Sequence, residues 1–331
     1  MNPSHYDEYD YINFLVATPK SYSCLEAGRV QPLKTNAAAH DAITRMLHRK
    51  EPNSEDLWQE AKSFAVTAGG LLELDDTTLD KPYAKKMDLV CQHWSGKHHQ
   101  TVRGINLLTL LWSDGDQHLA VDYRIYDKVH DNLSKNDHFR QMLEMASQRG
   151  FKPTYVGFDS WYSGLDNLKQ IRQSGWEWLT RFKSNRLVNP DNRGNLAISA
   201  VEIGPQGQVV HLKGYGFIKV FRTVSTNGDV EHWATSHVEM WELERLGVAE
   251  KTWVIEHYHR GIKQFCGIEG CQARSGRVQR NHIALAIRAF LRLEHYSYTT
   301  GHSWFEAKMR IIREAIRAYL ENPKYILGST A

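Results

Sequence analysis

Leu71-Leu72-Glu73-Leu74-Asp75-Asp76-Thr77-Thr78 reads as a buried strand over 70–76 that closes on a carboxylate. A second run, Thr154-Tyr155-Val156-Gly157-Phe158-Asp159, reads the same way over 153–159. Far downstream, Thr252-Trp253-Val254-Ile255-Glu256-His257-Tyr258-His259-Arg260-Gly261-Ile262-Lys263 reads as helix. A lone Asp or Glu is by default a surface residue. Asp75 and Asp159 depart from that default because each ends an apolar run. With a helical Glu they supply three oxygen donors on rigid elements. Hard divalent cations prefer such donors, and a pair of ions over a phosphodiester activates the attacking oxygen and stabilises the leaving one. Asp75, Asp159 and Glu256 are therefore the candidate catalytic and metal-binding residues, with Mg²⁺ the expected ion and Mn²⁺ its substitute. Side chains alternate across a strand, so only one of Asp75 and Asp76 can face the metals, and a register one residue later would choose Asp76.

Outward from these stretches, strands are expected at 103–112 and 117–126, a helix at 136–149, a helix at 163–174 and a strand at 177–183. Three strands, helix, strand, helix, strand is the order of an RNase H-like mixed sheet, an α/β fold. Residues 187–236 change character. A turn-rich Asn189-Pro190-Asp191-Asn192-Arg193-Gly194-Asn195 precedes short β-type runs, with Asn227-Gly228 as a hairpin signal. The 97 residues from Asp159 to Glu256 exceed what one helix and strand need, and an all-β insertion explains the excess. Residues 1–65 read as helical, with Asn36 as N-cap of a helix carrying Arg45, His48, Arg49 and Lys50. That helix suits either a DNA-reading role or plain packing with a basic end. Residues 245–322 are helical again, with apolar spacing at Phe305, Met309, Ile312, Ile316 and Tyr319. The expected organisation is a helical DNA-binding region at 1–68, a core at 69–186, a β-rich insertion at 187–236, the rest of the core at 237–270 and a basic helical region at 271–331.

The composition, 41% hydrophobic with ten Trp in 331 residues, is that of a folded chain. No apolar run reaches the length of a membrane span and no secretory signal opens the chain, so no membrane partner and a cytoplasmic location are expected. Cys24, Cys91, Cys266 and Cys271 are few and fit reduced thiols. From Glu256 to Arg317 eleven Lys and Arg face five Glu, a net of +6, which leaves −3 for the remainder of a chain at +3. A basic last third suits a polyanion, although a solvated helix surface has the same pattern.

In Leu74-Asp75-Asp76-Thr77 with Lys81, Phe158-Asp159-Ser160-Trp161-Tyr162, Arg181-Phe182-Lys183-Ser184-Asn185-Arg186, Trp233-Ala234-Thr235-Ser236, and Ile255-Glu256 through Lys263-Gln264, the chain resembles DDE transposases of the bacterial insertion-sequence type. The resembling group cuts and pastes, and its RNase H-like core is interrupted by a β-rich insertion. The interval to Lys81 matches that group with Asp75 as first carboxylate. The resemblance implies a DNA transposase that nicks element ends and joins the freed 3′-OH to target DNA. Its implied partners are terminal inverted repeats and target DNA, bound by a homodimer in the DNA complex. The alternatives are a domesticated, non-catalytic DNA-binding protein and a host nuclease of the same fold. Glu256, Arg260 and Lys263 share one helix face, and the resemblance implies that Lys263 holds DNA beside the cleavage site. Lys183, Arg186, Arg274, Arg277, Arg280, Arg45 and Arg49 complete the DNA-binding candidates. The group's Tyr and Arg before the catalytic Glu are replaced here by Ala249 and Thr252, so contacts made through them are not carried over.

Overall fold

The computed structural model describes residues 6–32, 37–95 and 100–324. The chain opens with α1 (Glu8–Ala17), α2 (Cys24–Arg29), α3 (His40–Arg49) and α4 (Glu55–Ala61). Then come β1 (Leu71–Asp80), β2 (Cys91–Ser95), β3 (Gln100–Ser113), β4 (His118–Tyr126), α5 (Lys135–Gln148), β5 (Tyr155–Phe158), α6 (Leu165–Gln173) and β6 (Glu177–Phe182). The insertion supplies β7 (Leu187–Val188), β8 (Leu196–Ala197), β9 (Gln208–Leu212), β10 (Gly216–Val224) and β11 (Val230–Thr235). Four helices close the described chain: α7 (Glu242–Thr252), α8 (Val254–Phe265), α9 (Gly276–Thr300) and α10 (Trp304–Glu321). Among the described residues no helix is long and apolar enough to cross a membrane.

Two compact units divide the chain, one holding Ser54–Pro82 and Leu89–Tyr258, the other the remaining segments. In the first, one mixed sheet runs β2-β3-β1-β5-β6-β11-β10-β9, with β4 on β3. β1 lies antiparallel to β3 and parallel to β5, and β5 is parallel to β6. The 14-residue β3 carries β2 on its first residues and both β1 and β4 on the rest. One finding differs from the sequence reading and one adds to it. β1 continues to Asp80 because β3 pairs with it along its whole length, so Asp75 is mid-strand rather than terminal. The insertion, read from the sequence only as a run of β-type segments, joins this sheet: β11 pairs antiparallel with β6, His232 to Phe182 through Thr235 to Leu179, and extends the core sheet.

The sheet buries both faces. On one, Leu71, Tyr155, Leu179, Phe221 and Met240 pack with Ala249 of α7. On the other, Phe139 of α5 meets Phe158 edge-on at 5.3 Å and stacks on Tyr162 at 5.2 Å. α5 starts on a reciprocal cap, in which Ser134 and Asp137 each accept from the other's backbone N–H.

The second unit is helical. α9 runs through its core, with Val278, Ile283, Leu285, Ala286, Phe290 and Leu293 buried. Asn281 donates to the carbonyls of Leu47 (2.7 Å) and Lys50 (2.8 Å), so a side chain of α9 satisfies the open C-terminal end of α3. Gly267 sits at φ +57, where a Cβ would meet the Tyr22 ring at 2.2 Å. Asn36 lies outside the described residues, and the N-cap of α3 is Ala39. The apolar series on α10 is not a buried stripe, since Phe305, Ile316 and Tyr319 are exposed.

Candidate active site

The β1–β5 ladder pairs Leu71 with Tyr155 through Leu74 with Phe158, and there it stops. Asp75 and Asp159 are each the next residue, so the parallel register itself brings them side by side. Asp159 leaves the sheet in an extended conformation and accepts from the Ser160 amide at 2.5 Å, starting the 3₁₀ turn Ser160–Tyr162. Alternation turns Glu73 and Asp75 to the side covered by α7, and Leu72, Leu74 and Asp76 to the side of α5. Gly157 is opposite Glu73 in the ladder. A Cβ at 157 would stand 3.0 Å from the Thr252 methyl, so glycine here lets the end of α7 close on the sheet. One residue separates α7 from α8, and Glu256 falls in the first turn of α8.

These elements enclose a cavity of about 180 Å³ lined by Asp75, Asp159 and Glu256 together with Glu73, Arg181, Glu231, Trp233 and Trp253. The three carboxylates named from the sequence therefore meet in one place. Burial first, then the charges of Asp76, Glu256 and Asp159, hold the Asp75 carboxyl well above the usual carboxylate range. Asp76 has the opposite environment. Burial would raise it, but Lys135, Asn106 and Tyr162 outweigh that and hold it below its ordinary value. Lys135 donates to Asp76 Oδ2 at 2.8 Å, Asn106 to the same oxygen at 2.7 Å, and Tyr162 to Oδ1 at 2.6 Å. Tyr162 ends the turn that Asp159 begins, so Asp76 ties that turn to β1 from the other face.

Whether a divalent ion suits the cavity is answered by its donors. They are hard carboxylate oxygens, and the charges of Glu256 and Asp159 act on Asp75. Both oxygens of Glu73, 2% exposed, are buried and close no hydrogen bond; burial above all holds its carboxyl well above the usual range, and the Ile255 amide draws it back only in part. Among the described residues, no three His, Cys, Asp or Glu side chains are gathered tightly enough to hold an ion as they stand. The residues that line the cavity fit a hard cation in chemistry.

Arg181 and Trp233 fall in stretches singled out in the sequence, but the wall they form with Glu231 was not read from it. Arg181 of β6 pairs with Glu231 at 2.8 Å, and the Arg181 and Arg245 guanidiniums come within 5.7 and 5.5 Å of the Trp233 ring. Glu231 and Arg181 are 50 residues apart, and only the β6–β11 pairing joins them. Trp253, 62% exposed at the cavity, was also missed. A signal for Glu73 did exist, a charge inside the apolar run Leu71–Leu74.

The cationic candidates are spread widely. Lys183 is exposed with its ammonium 5.6 Å from the Trp161 ring, and Arg186 lies over Phe182 at 5.0 Å. Neither lines the cavity. Arg260 is exposed one turn after Glu256, and Lys263 is 3.3 Å from Glu269. Arg274 is exposed, Arg280 partly so, and Arg277 pairs with Glu51 at 2.7 Å. Arg45 pairs with Asp41 at 2.6 Å and Arg49 donates to the Arg45 carbonyl. Ala249 and Thr252 serve packing, Ala249 in the core cluster and Thr252 over Gly157.

A mixed sheet with adjacent strand carboxylates, and a helical Glu in the same cavity, defines an RNase H-like α/β core with an acidic centre. The family model of the Transposase DDE domain matches residues 69–292, and the chain belongs to that family of DNA-cutting and DNA-joining transposases. The family generally uses divalent metal ions. Among solved structures, the piggyBac transposase synaptic complex with hairpin DNA is similar at a TM-score of 0.52 and 12% identity, over 96% of this chain and 73% of that one. This likeness is one of fold. The Mos1 strand transfer complex (TM-score 0.21, 12% identity, 54% of this chain and 58% of that one) carries no argument. Nor does the Drosophila P element transposase strand transfer complex (0.28, 10%, 100% and 68%). No curated protein matches the sequence.

Proposed function

We propose that Asp75, Asp159 and Glu256 are the catalytic carboxylates of a transposition reaction on DNA ends. The observation that carries this is the register Leu74 to Phe158, which sets two carboxylates at the same level of adjacent parallel strands, in a cavity that Glu256 also lines. The three would hold divalent ions, Mg²⁺ with Mn²⁺ able to substitute; when bound, such ions activate the attacking oxygen and stabilise the leaving one. The protein's own part is to fix the donors on two strands and a helix, with the Asp76 node bracing the Asp159 turn from behind. Water cleaves a phosphodiester at the element end and leaves a 3′-OH, which then attacks a target phosphodiester and replaces one P–O bond by another. Arg181 in the cavity wall, and Arg260 and Lys263 farther along α8, are suited to phosphate. Lys183, Arg186, Arg274, Arg277, Arg280, Arg45 and Arg49 are proposed as further DNA contacts, and the regions 1–68 and 271–331 as the DNA-binding flanks of the core.

Terminal inverted repeats and target DNA are the proposed partners, and two ends held at once call for a homodimer. Asp159→Asn keeps shape and removes a charged donor. Nicking of end DNA in Mg²⁺ is expected to fall by orders of magnitude while end binding persists; near-normal nicking would remove Asp159 from the chemistry.

A further inference from the structure

Glu73 has no role in the three-carboxylate scheme, yet its setting is unusual for a strand residue. It lies two residues before Asp75 on the same face of β1 and lines the same cavity. Its neighbours across the sheet offer nothing to bind: Gly157 on β5 has no side chain, and Leu111 on β3 is fully buried hydrocarbon. Both carboxylate oxygens are buried and unpartnered. Thr109, opposite Asp75 on β3, is likewise buried with an unpartnered hydroxyl. Three unsatisfied oxygens thus surround the Asp75 position on one face of the sheet. A fold that needed only packing here would be served by another leucine, since burying an unpartnered carboxyl is costly. Glu256, Asp159 and Asp75 add negative charge, so what would satisfy Glu73 is a cation or the water bound to one.

We propose that Glu73 is a fourth carboxylate of the cation site, behind Asp75, supplying acceptor atoms and negative charge that a divalent ion and its bound water satisfy. The assignment rests on the reading of Asp75, Asp159 and Glu256 as the cation-holding set. It makes Glu73 a positioning residue, acting on the ion rather than on DNA. Outer groups of this kind typically change metal affinity about 10- to 100-fold when removed.

The test is Mn²⁺ binding to the full chain without DNA, by titration calorimetry and by loss of the free-ion paramagnetic signal. Wild type, Glu73→Gln, Glu73→Asp and Asp159→Asn are compared, with melting in EDTA to check folding. Glu73→Gln is expected to weaken Mn²⁺ binding about 10-fold or more. Glu73→Asp, which keeps the charge but withdraws it, should fall between; it decides the matter alone if Glu73→Gln fails to fold. A Glu73→Gln affinity equal to wild type, with Asp159→Asn impaired, overturns the role of Glu73 and leaves the three-carboxylate reading standing. Wild-type affinity in Asp159→Asn, or no Mn²⁺ uptake by the wild type, overturns both.

Discussion

Asp75 and Asp76 are adjacent in β1, yet the two faces of the strand treat them in opposite ways. On the α5 face, Asp76 has a lysine, an amide and a phenol, and its carboxyl is held below the ordinary range. On the α7 face, Asp75 looks toward Asp159 and Glu256, and its carboxyl is held above it. One face spends its polar groups on internal satisfaction. The other keeps like charges together, the kind of setting that clusters at functional sites. One strand thus carries a satisfied carboxyl on one face and a carboxyl crowded by like charges on the other.

The largest effect that could break this contrast is on cleavage. Asp75→Asn should reduce nicking by orders of magnitude, whereas Asp76→Asn should retain measurable activity because asparagine keeps one acceptor oxygen, enough for Tyr162 or for Lys135, and Asp76 faces away from the cavity. Gel assays on labelled ends in Mg²⁺ decide it, and the reverse ranking would move the first ligand to Asp76. Stability should rank the other way. Asp76→Ala leaves Lys135 partly buried without its partner and should cost about 3 kcal/mol in denaturant unfolding. Asp75→Asn relieves repulsion and, in EDTA, should leave stability equal or higher. Equal losses from both would erase the distinction between the faces.

Titration sharpens the contrast further, with opposite signs. The unfolded value for either residue is about 4. Asp76, depressed in the fold, contributes stability that is present above that value and lost as pH falls through its lower folded value. Asp75 and Glu73, raised in the fold, weaken the metal-free chain as pH climbs from about 4 through their folded values. Thermal melts in EDTA across this range should show Asp75→Asn flattening the loss at higher pH and Asp76→Ala removing the loss on the acid side. The smallest effect concerns cations. Lys135 is committed to Asp76, so Lys135→Met should leave the salt dependence of end binding unchanged. Arg260→Ala and Lys263→Ala should each lower the slope of log K against log salt by about one. No change for either would make that helix face ordinary surface charge.

Much of this contrast was legible before the fold was known. Apolar runs ending on Asp75 and Asp159 marked β1 and β5, and the spacing of Glu256, Arg260 and Lys263 marked one face of α8. What the runs did not disclose was length. Thr77, Thr78 and Leu79 continue β1 because β3 stays beside them, a fact about a partner some thirty residues away that no local pattern carries. β2, Cys-Gln-His-Trp-Ser, was invisible for the same reason: it is a short strand held by the outer end of β3. Arg181, Glu231 and Trp233 form a wall through long-range pairing, and sequence spacing does not reveal which strands will be neighbours. Glu73 was visible as a charge in an apolar run, but its meaning depended on Gly157 standing opposite with no side chain.

The pairing of β11 with β6 has an evolutionary consequence. An insertion that hangs from a loop can be exchanged between relatives as a cassette. Here the inserted strands share a hydrogen-bonded ladder with the core, so cutting them out would turn β6 into a raw edge, open to pairing with another molecule. Replacing β11 without the side chains that meet it, Arg181 among them, would leave β6 a poorly matched edge. The insertion and the core form one hydrogen-bonded sheet, and the cost of separating them would fall on β6.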